Sequence, residues 1–120
     1  MRVAGIGFRA AAPVSALRAA LAAAGGAVDA LASAEDKAAA PQARELARAL
    51  GLPLLPIPTE ALARQQTLTH SPRVAARYGT GSLAEAAALA GAGPGARLIG
   101  PRVTSPCGRA TAAIAESDPS

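Results

Sequence analysis

Aromatic side chains are almost absent from this sequence of 120 residues, where Phe8 and Tyr78 are the only two. Proteins that bind single-stranded nucleic acid commonly stack its bases on aromatic rings, and the chain offers no such platform and no run of adjacent Lys or Arg. The 12 cations and 8 acids give a net charge of +4, which favours anionic partners. Because the cations are spaced singly, we predict a small polyanionic ligand and no nucleic acid.

Cysteine and histidine are equally scarce, with one residue of each, Cys107 and His70. A single cysteine cannot form an internal disulfide, so the simplest expectation is a reducing compartment. These two residues provide no set of metal ligands, and neither has a partner at a spacing that indicates a nucleophile with its base. We therefore predict no metal and no cofactor, and we interpret Cys107 as unreactive.

Long hydrophobic runs are missing as well. The longest uncharged stretches span about ten residues, whereas a membrane-spanning helix needs roughly 20 apolar residues. The first residues, MRVAGIGFRAAAP, lack the continuous apolar region of a signal peptide, because Arg9 and two glycines interrupt it. These absences predict a cytoplasmic protein without a membrane partner.

Alanine dominates what is present, at 35 residues, and alanine lets helices lie close to a sheet. Three apolar stretches, RVAGIGF, AVDALAS and LPLLPIP, are typical of short strands. They alternate with helices that begin near Pro13 and Pro41, since proline suits the first turn of a helix. Further helices are predicted to begin near Thr59, Ser71 and Ser82, and the chain then forms a hairpin around the turn SPCG.

This order of elements predicts one α/β domain over residues 1–116, with a frayed tail at residues 117–120. The sheet is expected to be mixed but mostly parallel, flanked by helices, with a C-terminal β-hairpin. Right-handed crossovers bring the carboxyl ends of the early strands to one edge of the sheet. Open α/β sheets bind ligands at that edge, so the candidate site residues are sought there.

The first candidate is GIGFRA, directly after the first strand. Gly5 and Gly7 allow a ligand to approach the backbone, the next helix offers N–H groups to an anion, and Arg9 can bind a carboxylate or phosphate through two donors. The dinucleotide fingerprint G-x-G-x-x-G is not complete, because Ala10 stands at its third glycine. A tight turn between strand and helix explains the same residues equally well.

The second candidate, SAEDK, follows the second strand and holds the only lysine of the chain. Ser33 and Lys37 are predicted to project from the strand end, with Glu35 or Asp36 close enough to pair with the lysine. The pKa of a lysine shifts readily on burial. The alternative is a solvated cluster of charges at the start of a helix.

Two later stretches complete the set. In YGTGSLAEA, the helix after Gly81 offers a second anion-friendly terminus, although Ser82 and Glu85 also form the pattern S-x-x-E of a capping box. In GPRVTSPCGRATAA, Arg102 and Thr104 lie on or beside the predicted hairpin. They face either the same cleft or the solvent.

Taken in order, these stretches resemble the cobalamin-biosynthesis CobE family, which is also the C-terminal domain of CbiG proteins. GIGFRAAAP resembles the family start G-I-G-x-R, and LASAEDKAAAPQARELARALGLPL resembles S-x-D-x-K with its helix and LGLPL. GTGSLAEAAAL and GPRVTSPCGRATAAIAE match the later motifs, so the resemblance covers about residues 2–116. Glu35 stands where the family usually has aspartate, and Ala11 where many members have glycine.

The resemblance implies a role in building the corrin ring, whose intermediates carry many acetate and propionate groups. It implies binding of a precorrin or corrin intermediate by a carrier or accessory factor of the aerobic pathway. Arg9, Lys37 and Arg102 would contact carboxylates, and the ligand-binding set as a whole is Gly5, Gly7, Arg9, Ser33, Lys37, Gly81, Ser82, Arg102 and Thr104. Two alternatives stay open, a corrin-lactone hydrolase that uses Lys37 and Glu35, and a docking module for pathway enzymes.

Overall fold

A computed structural model describes residues 1–117 of the chain, and within them six strands and six helices form one α/β unit. The strands are β1 Arg2–Phe8, β2 Ala30–Ala34, β3 Leu54–Ile57, β4 Arg97–Leu98, β5 Val103–Thr104 and β6 Ala110–Glu116. The helices are α1 Val14–Ala24, α2 Glu35–Ala38, α3 Pro41–Leu50, α4 Thr59–Ala63, α5 Pro72–Tyr78 and α6 Leu83–Ala92. The predicted α/β class, with a mixed sheet flanked by helices, is confirmed. The sheet is not mostly parallel as predicted, because among these residues two strand pairings are parallel and three are antiparallel.

The sheet is mixed, and its strand order is β3-β2-β1-β6-β4, with β5 also paired to β6. Pairing is parallel from β1 to β3 and antiparallel around β6. β6 lies beside β1 over its whole length, from Arg2 opposite Glu116 to Phe8 opposite Ala110. The carboxyl end of β1 therefore meets the beginning of β6 at one edge of the sheet.

Short polar and proline residues set the helix boundaries. Pro41 is the first residue of α3, where its missing N–H has no partner to lose. The hydroxyls of Ser71 and Ser82 accept hydrogen bonds from Val74 N–H and Glu85 N–H and so cap α5 and α6. The helix predicted to begin near Thr59 does begin there, but Thr59 is already helical, follows Pro58 and makes no capping hydrogen bond.

The two faces of the sheet are covered differently. α1 and α3 pack leucines against one face, with Leu17 and Leu46 fully buried. α6 covers the other face with alanines and approaches so closely that a Cβ at Gly5 would lie 1.9 Å from Ala84 O. Alanine and glycine at this contact let the helix backbone lie almost on the strand.

Several boundaries differ from the sequence-based prediction. β2 begins at Ala30, three residues later than predicted, because Asp29 instead exchanges hydrogen bonds with the Arg2 backbone. α3 ends at Leu50, which is 37% exposed because the left-handed Gly51 turns the chain away. In the predicted tail, Ser117 pairs with Met1, and residues 118–120 lie outside the described residues.

No helix within residues 1–117 is both long and apolar enough to cross a lipid bilayer.

Candidate functional site

A pocket of about 360 Å³ opens at the edge where β1 ends and β6 begins. Its walls come from the loop after β1, from α2, from α5 and from the hairpin turn before β6. This is the edge predicted for a ligand, because the carboxyl ends of parallel strands leave a crevice there.

Cationic side chains dominate the pocket walls. Half of the 12 cations of the chain line this single pocket. They are Arg9, Lys37, Arg73, Arg77, Arg102 and Arg109. Among the described residues that line it, none is Asp or Glu. Like charges gathered in a concave site raise the local concentration of anions, so the chain folds its singly spaced cations into one anion-attracting pocket.

The floor of the pocket is apolar. Phe8, Val74, Leu83 and Ala110 contribute to it, and Phe8, Leu83 and Ala110 are buried. Lys37 Nζ lies 5.0 Å from the centroid of the Phe8 ring, a distance at which an ammonium group is attracted to the face of the ring. The site therefore combines buried apolar side chains with exposed or partly exposed cationic ones.

Lys37 has a perturbed environment. Partial burial lowers the pKa of its ammonium group, and the positive charges of Arg77 and Arg73 lower it further, while Asp36 acts in the opposite direction. Within residues 1–117 no carboxylate lies within ion-pair distance of Lys37. A bound anion would remove this repulsion, so binding is expected to raise the pKa of Lys37 again.

Asp36 is engaged beside the pocket rather than in its lining. It forms an ion pair with Arg77 and accepts a hydrogen bond from the hydroxyl of Tyr78, at 2.9 Å from Oδ2. Burial and this hydrogen bond raise the pKa of Tyr78 to about 12. Burial alone would raise the pKa of Asp36, but Tyr78 and Arg77 together lower it. The network fixes α5 against α2 and orients Arg77.

The loop after β1 is held on both sides. Arg9 N–H donates to the carbonyl of Arg109 at 3.0 Å, which continues the pairing of β1 with β6 beyond the strand ends. The side-chain amide of Gln42, on α3, donates to the carbonyls of Ala10 and Ala12 at 3.0 and 3.1 Å. Arg9 and Arg109 are therefore carried by neighbouring, anchored backbone segments.

Five of the nine predicted ligand-binding residues line the pocket. They are Gly7, Arg9, Lys37, Arg102 and Thr104. Arg9 and Lys37, which come from different strand ends, meet at the same cavity, as a shared site requires. Their contact with a ligand stays a prediction.

The predicted role of Gly5 and Ser33 in ligand binding is replaced by packing. Gly5 is buried under α6, where it admits the helix backbone, and has no surface for a ligand. Ser33 is fully buried, and its hydroxyl donates to the carbonyl of Ile6 at 2.6 Å, which ties β2 to β1.

Gly81, Ser82 and Glu35 also lie outside the pocket lining. A Cβ at Gly81 would come within 2.7 Å of Thr67 Oγ1, so the glycine serves the packing of a neighbouring loop. Ser82 is fully buried and caps α6. Glu35 is exposed on α2, so the proposed pair of Lys37 and Glu35 is not assembled inside the cavity.

Sequence reasoning missed three pocket arginines, Arg73, Arg77 and Arg109. Arg73 and Arg77 stand four residues apart on α5 and therefore share a helix face. That spacing was a usable signal. Arg109 follows the hairpin turn directly, and only the pairing of β6 with β1 brings it beside Arg9.

The capping box at the start of α6 is only half formed. The hydroxyl of Ser82 accepts from Glu85 N–H at 3.3 Å, as predicted. The carboxylate of Glu85 does not return to Ser82, because it binds the backbone N–H groups of Leu68, Thr69 and Arg102. Glu85 is fully buried, so its position is set by tertiary contacts rather than by the helix end.

Cys107, interpreted from the sequence as unreactive, is a free thiol exposed in the hairpin turn. Its sulfur lies 3.4 Å from Ser105 Oγ, and this hydrogen bond with a further one from the Arg109 backbone lowers the pKa of the thiol. Over residues 1–117, no group of three or more His, Cys, Asp and Glu side chains is arranged to hold a metal ion.

The comparisons with known proteins agree with the motifs. The family model described as "Cobalamin synthesis G C-terminus" matches residues 2–115. The chain belongs to this family. The resemblance found in the sequence is thereby confirmed over nearly the whole chain. No curated protein matches the sequence significantly.

Two solved structures of the cobalamin pathway are similar to the chain. One is CobE, described as a protein from the cobalamin (vitamin B12) biosynthetic pathway, with 34% identity and a TM-score of 0.84 over 98% of this chain and 91% of that one. The other is the cobalamin biosynthesis protein chiG from Agrobacterium tumefaciens str. C58. It has 36% identity and a TM-score of 0.73 over 99% of this chain and 100% of that one.

Proposed function

We propose that this protein acts in cobalamin biosynthesis by binding a corrin-ring intermediate through the carboxylate side chains of the ring. Membership of the cobalamin synthesis G C-terminus family supports the pathway, as do two similar structures whose proteins are described by that pathway. The family alone does not specify a ligand. The argument for the ligand comes from the pocket.

The observation that carries the proposal is the lining of six cations around an apolar floor, without an acid among the described lining residues. A corrin intermediate presents an apolar macrocycle with acetate and propionate groups around its edge. Arginine binds a carboxylate through two parallel hydrogen bonds, and Lys37 adds a compact charge above Phe8. The ring face and the carboxylates thus each have a complementary surface.

The size of the pocket bears on the role of the protein. A cavity of about 360 Å³ is near the lower end of the range for sites that enclose a drug-sized ligand. A corrin ring with its side chains is larger, so only one part of it enters the pocket. The exposed remainder is accessible to a pathway enzyme, which is the arrangement expected of a carrier or accessory factor.

The lowered pKa of Lys37 favours one alternative, hydrolysis of a corrin-ring lactone. A lysine with a lowered pKa can serve as a general acid or base. Glu35 is outside the cavity and Asp36 is bound to Tyr78 and Arg77, so a substrate group would have to complete the pair. A docking module is the other alternative, and it predicts binding to a partner protein without affinity for corrinoids.

The proposal is tested by titrating the protein with cobyrinic acid, a corrin with free carboxylates, and following the visible absorption of the ring. The methyl ester of cobyrinic acid keeps the ring and removes the charges. Arg9→Ala and Lys37→Ala are compared with Arg44→Ala, which removes an exposed arginine of α3 outside the pocket lining.

We expect saturable binding of the acid, little binding of the ester, and an affinity that is weaker in both pocket variants but unchanged in Arg44→Ala. Equal binding of acid and ester would contradict recognition through carboxylates. If the protein binds no corrinoid, the docking module becomes the better explanation. If the protein hydrolyses a corrin lactone and Lys37→Ala abolishes this activity, the hydrolase is favoured.

A further inference from the structure

Glu85 is an ionisable residue in the interior of the protein. Its relative exposure is 0%, although it stands in the first turn of α6 among alanines and Leu83. A buried carboxylate is costly unless charge partners or several hydrogen bonds compensate for its lost hydration. In the part of the chain that the structure describes, no Lys, Arg or His forms an ion pair with Glu85. Hydrogen bonds must therefore account for its burial.

Four hydrogen bonds supply that compensation. Oε1 accepts from Leu68 N–H at 2.7 Å and from Thr69 N–H at 3.0 Å. Oε2 accepts from Arg102 N–H at 2.8 Å and from the Thr69 hydroxyl at 3.2 Å. An ionised carboxylate has about four acceptor positions, so this one is saturated. Its donors belong to two segments of the chain, one before α5 and one between β4 and β5.

Both segments carry pocket cations. Arg102 itself lines the cavity, and its backbone is held directly by Glu85. The segment containing Leu68 and Thr69 continues to Ser71, which caps α5 and whose N–H donates to the carbonyl of Gly81 at 2.7 Å. α5 then presents Arg73 and Arg77 to the same cavity. One buried carboxylate thus joins the backbones that support two different walls of the pocket.

We propose that Glu85 is the positioning residue of the cationic pocket, which sets the separation between Arg102 and the arginines of α5. It does not touch the cavity, because it is absent from the lining. Its effect on a ligand is therefore indirect. The inference rests on the proposed function insofar as the pocket binds a corrin polycarboxylate, but the backbone geometry that it predicts can be measured without any ligand.

Glu85→Gln tests the role with little change of shape. The amide group replaces one carboxylate oxygen by a donor, so it cannot accept from both segments at once. We expect affinity for cobyrinic acid to fall about tenfold, as the loss of charge-assisted hydrogen bonds implies. The matched control is Glu45→Gln, the same chemical change on the exposed surface of α3, which should leave affinity unchanged.

A double-mutant cycle separates positioning from general destabilisation. If Glu85 acts through Arg102, the affinity losses of Glu85→Gln and Arg102→Ala should be less than additive, because the second change removes a side chain that is already displaced. Additive losses, or wild-type affinity in folded Glu85→Gln, would overturn the proposal.

Amide hydrogen exchange provides the arm that needs no ligand. The N–H groups of Leu68, Thr69 and Arg102 should exchange faster in Glu85→Gln than in Glu45→Gln. Unchanged exchange would overturn the positioning role even if corrinoids bind. Conversely, if these groups exchange faster but the protein binds no corrinoid, the positioning role of Glu85 is supported and only the proposed function is contradicted. If Glu85→Gln fails to fold, Thr69→Val removes one donor and should weaken binding in the same direction, whereas wild-type affinity in that variant would count against the role.

Discussion

The two ends of the paired strands β1 and β6 use arginine in opposite ways. At one end, Arg2 and Arg97 both face Glu116, at 4.0 and 3.6 Å, and Arg2 N–H also donates to the side chain of Asp29 at 2.8 Å. At the other end, Arg9 and Arg109 stand beside the cavity, and among residues 1–117 neither has a carboxylate within ion-pair distance. Arginines near one end of this strand pair are therefore balanced by carboxylates, and those at the other end are not.

The proposed function gives this difference a meaning, because it assigns the arginines at the cavity end to ligand binding and those at the other end to the structure. An ion pair on the surface contributes little free energy but leaves no excess charge. Apart from Arg77, which pairs with Asp36, the pocket cations have no carboxylate within ion-pair distance among residues 1–117. Such an excess of like charge lowers the stability of the folded protein. Such an arrangement is useful when an anionic ligand supplies the missing charge. If the proposed function holds, the pocket end is the ligand-binding end of the sheet, and variants at each end should separate effects on stability from effects on binding.

The largest loss of stability is expected midway along β1, at Gly5. Gly5→Ala places a methyl group 1.9 Å from Ala84 O and 2.5 Å from Ala88 N, both backbone atoms of α6. Since neither can move without shifting the helix, we expect a loss of about 3 kcal/mol or more in the free energy of unfolding. Chemical denaturation measures it. Gly100→Ala is the matched control, because nothing lies within 4 Å of its added Cβ, and an equal loss in both variants would contradict the packing account.

The next largest effect is a loss of ligand affinity when only the pocket end is changed. Arg9→Ala combined with Lys37→Ala removes two of the six lining cations. We expect affinity for cobyrinic acid to fall about a hundredfold, roughly 1.4 kcal/mol for each cation, while the midpoint of thermal unfolding stays the same or rises as repulsion is relieved. Titration and thermal unfolding of the same samples measure both. Unchanged affinity in the double variant would show that Arg9 and Lys37 do not bind the carboxylates of cobyrinic acid.

A smaller effect concerns Tyr78 and its hydrogen bond to Asp36, which lies beside the pocket. The pKa of Tyr78 is about 12 in the folded protein and about 10 in the unfolded chain. The folded state therefore holds its phenolic proton more tightly. The protonated side chain of Tyr78, buried and hydrogen-bonded to Asp36, contributes its full stability below pH 10, and this stability is lost as the pH rises from 10 to 12.

We expect the wild type to lose about 2 kcal/mol over that interval through this residue, and Tyr78→Phe to lack this loss. The chain has a single tyrosine, so the ultraviolet absorption of tyrosinate follows its titration directly. An unperturbed titration midpoint, or the same alkaline loss in Tyr78→Phe, would contradict the hydrogen-bonded arrangement of Tyr78 and Asp36.

The smallest effect is expected at the balanced end. Glu116→Gln removes the acid that Arg2 and Arg97 share. All three side chains are partly exposed, so we expect a loss of about 0.5–1 kcal/mol in the free energy of unfolding and no change in affinity for cobyrinic acid. Denaturation and titration measure the two. A loss of affinity comparable with that of Arg9→Ala would remove the distinction between the ends.

Local sequence predicts much of the fold and one side of the site. Gly7 lies near the end of β1, and Arg9 and Lys37 follow the ends of β1 and β2. Because strand ends of a parallel sheet share an edge, their convergence was predictable. The caps at Ser71 and Ser82 were predictable because they depend on residues three positions away.

The rest depends on contacts between distant segments. Arg109 reaches the pocket only through the pairing of β6 with β1, about a hundred residues apart in the chain. The carboxylate of Glu85 fits a capping box locally, but its donors Leu68 and Arg102 each lie 17 residues away. In the sequence, Gly5 resembles a glycine that admits a ligand, but in the structure it admits the backbone of α6.

The central claim is that the unbalanced end of the sheet binds the carboxylates of a corrin ring. Mapping the backbone amide shifts of the protein on addition of cobyrinic acid tests it most directly. The account predicts saturable shifts clustered at the pocket, in residues 7–10, 37 and 102–111, with residues around Arg2, Arg97 and Glu116 unaffected. Shifts centred on the Arg2–Glu116 end, or no saturable shifts at all, would contradict it.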